Sequence, residues 1–282
     1  MIAYPRILAA VNEHLNSEIA ARYALRLARV CESKFYVCFI AGKGLARPDF
    51  ESAENAVKRL FVEANRENVP VESIVETGDP VRRLQEIVRQ EQVSLVFAST
   101  RREDIQRRFY AGTVARALLL RLPCSVALVR VAHTGQIHPR RIFVPLKARM
   151  DHVHERAFFA ARLAQAFHSN LFLFHVTRPI SRLFHGEIHL SPHEWGKRLP
   201  GQVSEFMERI REQQVDFEER IAPGTVGRSI TVEAASKRHD LIVMGASQRS
   251  LLSSLFQGNP VEEVLRETPC DLIILMPRHE DQ

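Results

Sequence analysis

Two stretches of this chain carry residue types and spacing suited to holding an anion. The first is Met244-Gly245-Ala246-Ser247-Gln248-Arg249-Ser250, followed by Gly258-Asn259-Pro260. Glycine lets backbone N–H groups approach an anion with no Cβ in the way. A helix opening at Gly258 would add free donors and the positive end of its dipole. The side chain of Asn259 can donate a further hydrogen bond. The second stretch is Ala98-Ser99-Thr100-Arg101-Arg102, with Gly112-Thr113 after it. Arg101 and Arg102 could pair with phosphate as charged donors; they could equally fill the site or face solvent.

Other chemistry-bearing residues point elsewhere. His185, His189 and His193 recur every four residues, which on one helix would align them for a metal. Gly186 and Pro192 interrupt any such helix, and a surface loop or lid fits the segment better. Cys31, Cys38, Cys124 and Cys270 form no Cys-x-x-Cys pair, so they read as reduced thiols that pack. There is no Gly-x-Ser-x-Gly, no Walker loop and no His-Glu-x-x-His, and no carboxylate pair stands out as acid and base. No catalytic residue and no metal ligand is nominated.

The elements that must position these loops come twice. Pro5-Arg6-Ile7-Leu8-Ala9-Ala10-Val11 matches Arg140-Arg141-Ile142-Phe143-Val144-Pro145-Leu146 at an offset of 135. Tyr23 to Ala28 matches Phe159 to Ala164, and Ser33 to Val37 matches Ser169 to Leu173, at 136. Gly78 with Gly224, Leu95 with Leu241, Gly112 with Gly258, and Pro123-Cys124 with Pro269-Cys270 all stand 146 apart. The copies are placed at residues 1–133 and 139–282, with an insertion at about 178–200 in the second. Each reads as strands alternating with helices, which gives a parallel sheet covered on both faces. Ser17 to Val30 is expected as the first helix, capped by Asn16 or Ser17. Asp79-Pro80 is expected to open the third. Ligands on such sheets sit beyond the carboxyl ends of the strands where strand order reverses, so the loops after strands one and four are the places of interest.

These features together resemble the universal stress protein family. That family carries Gly-x-x-Gly, nine residues, then Gly-Ser or Gly-Thr in the loop after strand four. Gly245, Gln248 and Gly258 fall at that spacing, with Gln248 for the second glycine and Asn259 for the serine. Copy one keeps Gly112-Thr113 only, and Arg101 stands one residue too far from Gly112. The family's Asp after strand one is Asn12 in copy one and Lys147 in copy two. Lys reverses that charge. The resemblance spans nearly the whole chain, twice.

The resemblance implies an α/β fold of two tandem doubly wound parallel five-stranded sheets, of the adenine nucleotide α-hydrolase-like type. It implies ATP or a related adenine nucleotide as ligand, with Mg²⁺ only as the nucleotide's companion. The candidate binding residues it transfers are Gly224, Gly245, Ala246, Gln248, Gly258 and Asn259 in copy two. In copy one they are Asn12, Gly78, Arg101, Gly112 and Thr113. It also implies that the two copies pair through their final strands, with Val126, Leu128, Leu272 and Ile274 at the contact. A homodimer and a regulatory protein partner stay open. The implied role is a regulatory or stress-response binding protein. A slow ATPase and a ligand-free interaction scaffold are the alternatives.

Composition limits the rest. The net charge is +6 and the pI about 9.4. The bases alternate with acids along the helices, as on a solvated face rather than a nucleic-acid surface. No apolar run approaches the length of a membrane span, and the N-terminal segment reads as strand then helix rather than a signal peptide. The expectation is a cytoplasmic protein.

Overall fold

A computed structural model describes residues 2–100, 114–135, 137–177, 199–223, 226–247 and 260–278. In copy one, β1 (Arg6–Val11) is followed by α1 (Leu15–Val30), β2 (Lys34–Ala41) and α2 (Arg47–Arg66). Then come β3 (Val71–Thr77), α3 (Pro80–Gln90), β4 (Leu95–Ser99), α4 (Val114–Arg121) and β5 (Ser125–Arg130). Copy two runs β6 (Arg141–Leu146), α5 (Val153–Phe167), β7 (Asn170–Thr177), α6 (Gly201–Glu212) and β8 (Phe217–Pro223). It ends with α7 (Val226–Ser236), β9 (Leu241–Gly245), α8 (Pro260–Glu267) and β10 (Asp271–Met276).

The central strands are short and apolar because both faces are covered. β9 is buried at every position from Leu241 to Met244, and β10 from end to end. One apolar cluster lies under α1, α2, α5 and α6 and includes Ile7, Leu25, Phe159 and Leu275. The other lies under α3, α4, α7 and α8 and includes Val96, Leu118, Ile230 and Ile274. Each cluster draws residues from both copies, so the hydrophobic layers continue across the repeat boundary.

The ten strands form a single sheet in the order β3-β2-β1-β4-β5-β10-β9-β6-β7-β8. Each copy therefore has the same internal order. Pairing is parallel throughout except at the centre, where β5 and β10 run antiparallel with Ile274 opposite Leu128 and Met276 opposite Val126. The last strand of each copy is thereby taken off the edge, where its unpaired backbone groups would invite aggregation.

Local signals explain most helix starts. Asp79 caps α3 by accepting a hydrogen bond from the Arg82 N–H at 2.8 Å, and Pro80 occupies the first helical position. Helix α1 corrects the sequence expectation. It begins at Leu15, with His14 at the cap position and no side-chain cap. Ser17 lies inside the helix, and its hydroxyl accepts from the Asn12 N–H and donates to the His14 carbonyl.

Candidate functional site

Strand order reverses between β1 and β4 in copy one and between β6 and β9 in copy two. A cavity of about 790 Å³ lies at the second of these points. That volume is in the range of small-molecule and cofactor sites. Its walls are apolar: Val144 and Leu146 from β6, Phe174 from β7, Ile230 from α7, and Val243 and Met244 from β9. Lys147, Arg149, Asp151, Arg156, Gln202 and Ser247 supply its polar side chains.

Arg156, on the first turn of α5, organises the floor. Its Nε–H donates to the Asp151 carbonyl at 2.6 Å and its Nη2 to Asp151 Oδ1 at 2.6 Å. Nη2 also reaches across to the Ala246 carbonyl at 2.8 Å, tying the loop after β6 to the loop after β9. A Cβ placed on Gly245 would lie 1.2 Å from Nη1. The glycine is needed here because the guanidinium of the chain itself occupies that space. At the equivalent positions copy one has Ser99 and Ala20. The small residue has moved from helix to strand end, and the cation is gone.

Lys147 stands at the end of β6. The residue as a whole is exposed at the rim. Partial desolvation, and then the Arg156 charge, lower its pKa from the usual lysine value, with Asp151 opposing. The rim is thus electropositive and its interior apolar, an arrangement that accepts an anion carrying an apolar or aromatic body.

The sequence candidates distribute unevenly on this frame. Gly245 and Ala246 lie in the cavity wall. Gln248, Gly258, Asn259 and Gly224 fall outside the described residues, as do Arg101, Arg102, Gly112 and Thr113 of copy one and the three histidines of the insertion. Asn12 follows β1, but its Oδ1 accepts from the His14 N–H at 3.0 Å, so the side chain closes a local turn. Gly78 holds a φ of +144°, which side-chain-bearing residues rarely adopt, and its N–H donates to the Ala41 carbonyl at 3.0 Å. It shapes the β3–α3 turn. Sequence reasoning missed Arg156 and Asp151. The signal was faint: an Arg in copy two where copy one has Ala20, at a position inside an amphipathic helix.

The cysteines take no part. Burial pushes the Cys38, Cys124 and Cys270 thiols up to about 12, and Cys31 to about 11 against the opposing charge of Arg162. They stay protonated and unreactive at neutral pH. Among the described residues no three His, Cys, Asp or Glu side chains gather as a metal site, and no helix is long and apolar enough to cross a membrane.

Comparison with known proteins supplies the lineage. A universal stress protein of Archaeoglobus fulgidus DSM 4304 superposes with a TM-score of 0.64 at 16% identity, covering 98% of this chain and 97% of its own. A functionally unknown protein of Pseudomonas aeruginosa PAO1 gives 0.65 at 17% identity, covering 98% and 94%. The cytoplasmic domain of a prokaryotic cation chloride cotransporter gives 0.61 at 11% identity, covering 99% and 98%. At these identities the likeness is one of fold. No curated protein matches the chain. The model of the universal stress protein family matches residues 3–130 and again 139–275. With both halves of the ten-stranded sheet so matched, the chain belongs to the universal stress protein family as a tandem-domain member.

Proposed function

We propose that this protein is a stress-response binding protein whose second copy holds a nucleotide, with the ligand acting as a signal or stabiliser rather than a turnover substrate. The observation that carries this is the cavity of about 790 Å³ at the β6–β9 switch point, apolar within and cationic at its rim. Apolar walls suit a base, and Lys147, Arg149 and the backbone beyond Gly245 suit phosphate oxygens. Any Mg²⁺ would arrive with the phosphates, since the rim offers Asp151 as its single carboxylate among the described lining residues. Copy one reads as the structural partner. Its Asn12 is used locally, and Ser99 replaces the glycine at the end of its fourth strand.

Calorimetric titration of nucleotide-stripped protein tests this. Mg-ATP and Mg-GTP are each titrated to millimolar concentration. Saturable heat with either, near one site per chain and lost on Gly258→Val, supports the reading. Binding lost on Arg101→Ala instead would move the site to copy one. No heat with either nucleotide would sink it and leave a ligand-free scaffold as the better account.

A further inference from the structure

Two consecutive residues of α5 serve different parts of the molecule. Arg156 lines the copy-two cavity, where it holds the Asp151 carbonyl, Asp151 Oδ1 and the Ala246 carbonyl. Glu155, fully buried beside it, belongs instead to the seam where β5 and β10 run antiparallel. It accepts from the Tyr4 hydroxyl at 2.9 Å, from the Ser125 hydroxyl, and from the Arg278 N–H at 3.0 Å. Arg278 in turn donates from Nη2 to the Leu119 carbonyl of α4 at 3.1 Å. Tyr4, Ser125, Glu155 and Arg278 all lie outside the cavity wall. One helical turn thus joins that wall to residues of copy one and to the chain segment after β10.

The backbone that leads into this turn is unusual. His14, Ala46, Asp79 and Pro200 precede α1, α2, α3 and α6 with negative φ and extended ψ, as helix caps ordinarily do. His152 precedes α5 with φ +53° and ψ +48°, in the left-handed region. The other non-glycine residues with positive φ among the described residues all lie just past helix C-termini, where that conformation is a regular finish. A left-handed residue that bears a side chain costs energy and persists only where its surroundings hold it. Here the holding contacts are those of Arg156 to Asp151, and the Met150 N–H donating to Gln202 Oε1 at 2.6 Å. A ligand meets Lys147 and Arg149 as placed only while this turn is closed, so it favours the closed turn over a relaxed one. We propose that the Asp151–His152 turn is a strained hinge, and that Arg156 and Glu155 relay occupancy of the copy-two cavity through it to the seam and to Arg278. This rests on the nucleotide reading of the same cavity and gives the bound nucleotide its route as a signal. Linkage makes the relay reciprocal: loosening the seam at Glu155 weakens the ligand.

Hydrogen exchange and calorimetry on the full-length, nucleotide-stripped protein test this, with Mg-ATP and Mg-GTP as the probes. Saturating nucleotide is expected to slow exchange of the Arg278 N–H about tenfold, although that group lies outside the cavity. Tyr4→Phe removes a donor to Glu155 and is expected to weaken nucleotide binding about fivefold. Tyr23→Phe removes a donor to Asp271, the other carboxylate of the seam, and is expected to leave the affinity unchanged. Melting temperatures of both variants serve as a check on folding. Equal weakening in the two variants would reveal a general loss of stability and overturn the relay. Unchanged exchange at Arg278, or unchanged affinity in Tyr4→Phe, would overturn it while leaving nucleotide binding intact. No binding of either nucleotide would overturn both this and the function proposed above.

Discussion

The phenol of Tyr23 in copy one donates to Asp271 Oδ2 in copy two at 2.9 Å, in a buried contact that joins residues 248 positions apart. Asp271 Oδ1 also accepts the N–H of Ala132 at 2.8 Å and of His133 at 3.3 Å, so one carboxylate ties helix α1, strand β10 and the segment between the copies. The corresponding position on the other side of the antiparallel β5–β10 pair uses a different solution. There Glu155 of α5 is the carboxylate, and it accepts from Tyr4 at 2.9 Å, from Ser125, and from the Arg278 N–H at 3.0 Å. Asp271 and Ser125 are equivalent positions, as are Glu155 and Ile19. The acid has changed elements between the two halves.

Removing one donor from Asp271 should cost little more than one hydrogen bond. Tyr23→Phe is expected to lower stability by about 1–2 kcal/mol, because two N–H groups still satisfy the carboxylate. Asp271→Ala should cost more, since it orphans the phenol and both N–H groups together. Denaturant melts of both variants decide this, and equal losses would show that the carboxylate is not the hub.

Glu155 should behave the same way across the seam. Glu155→Gln keeps the shape and one acceptor and is expected to cost about 1–3 kcal/mol, with Glu155→Ala clearly worse. Because Tyr4 and Ser125 belong to copy one, the loss should appear as one cooperative transition of the whole sheet. Two separated transitions in calorimetry would mean the copies unfold independently.

Gly245 and Arg156 should prove strongly coupled. Gly245→Ser drives the guanidinium from its place, and Arg156→Ala empties that place. The double variant rebuilds the Ser99 and Ala20 pair of copy one. A double-mutant cycle is expected to show about 1–3 kcal/mol of recovery relative to the sum of the single changes. Simple additivity would mean that the close approach at Gly245 is not what the glycine serves.

His239 should make stability depend on pH. Its ring stacks on Phe143 at 4.7 Å and lies against Phe172 at 4.8 Å. Burial, and then the charges of Arg141 and Lys237, bring its pKa down from 6.5 to about 4, with Asp240 opposing. The unfolded chain then binds the proton more readily than the folded one, so stability is full above about pH 6.5 and falls as pH drops toward 4. The loss is expected to be of the order of 2 kcal/mol by pH 4.5, allowing for residual solvent near the ring. His239→Phe should flatten the profile in that window, and an unchanged profile would place the effect on the carboxylates instead.

The duplication and the element order were legible in the sequence because they are local and periodic. Constant offsets fixed the repeat. Short apolar runs marked doubly covered strands, and Asp79-Pro80 announced a helix start by its own chemistry. The start of α1 was misjudged because Ser17, a good cap in isolation, is bonded to backbone groups of the turn before the helix.

The sequence by itself also determined the family, since glycine spacing and strand alternation are properties of neighbours along the chain. Only the tertiary structure decided what lines the cavity where β6 and β9 meet. Arg156 and Gly245 are 89 residues apart in sequence, and they meet because β6 and β9 pair and α5 lies against them. The seating of Arg156 against Gly245 and the crossed carboxylates at the seam are set by such distant approaches. No local pattern encodes them, because each depends on which side chain fills the space another leaves.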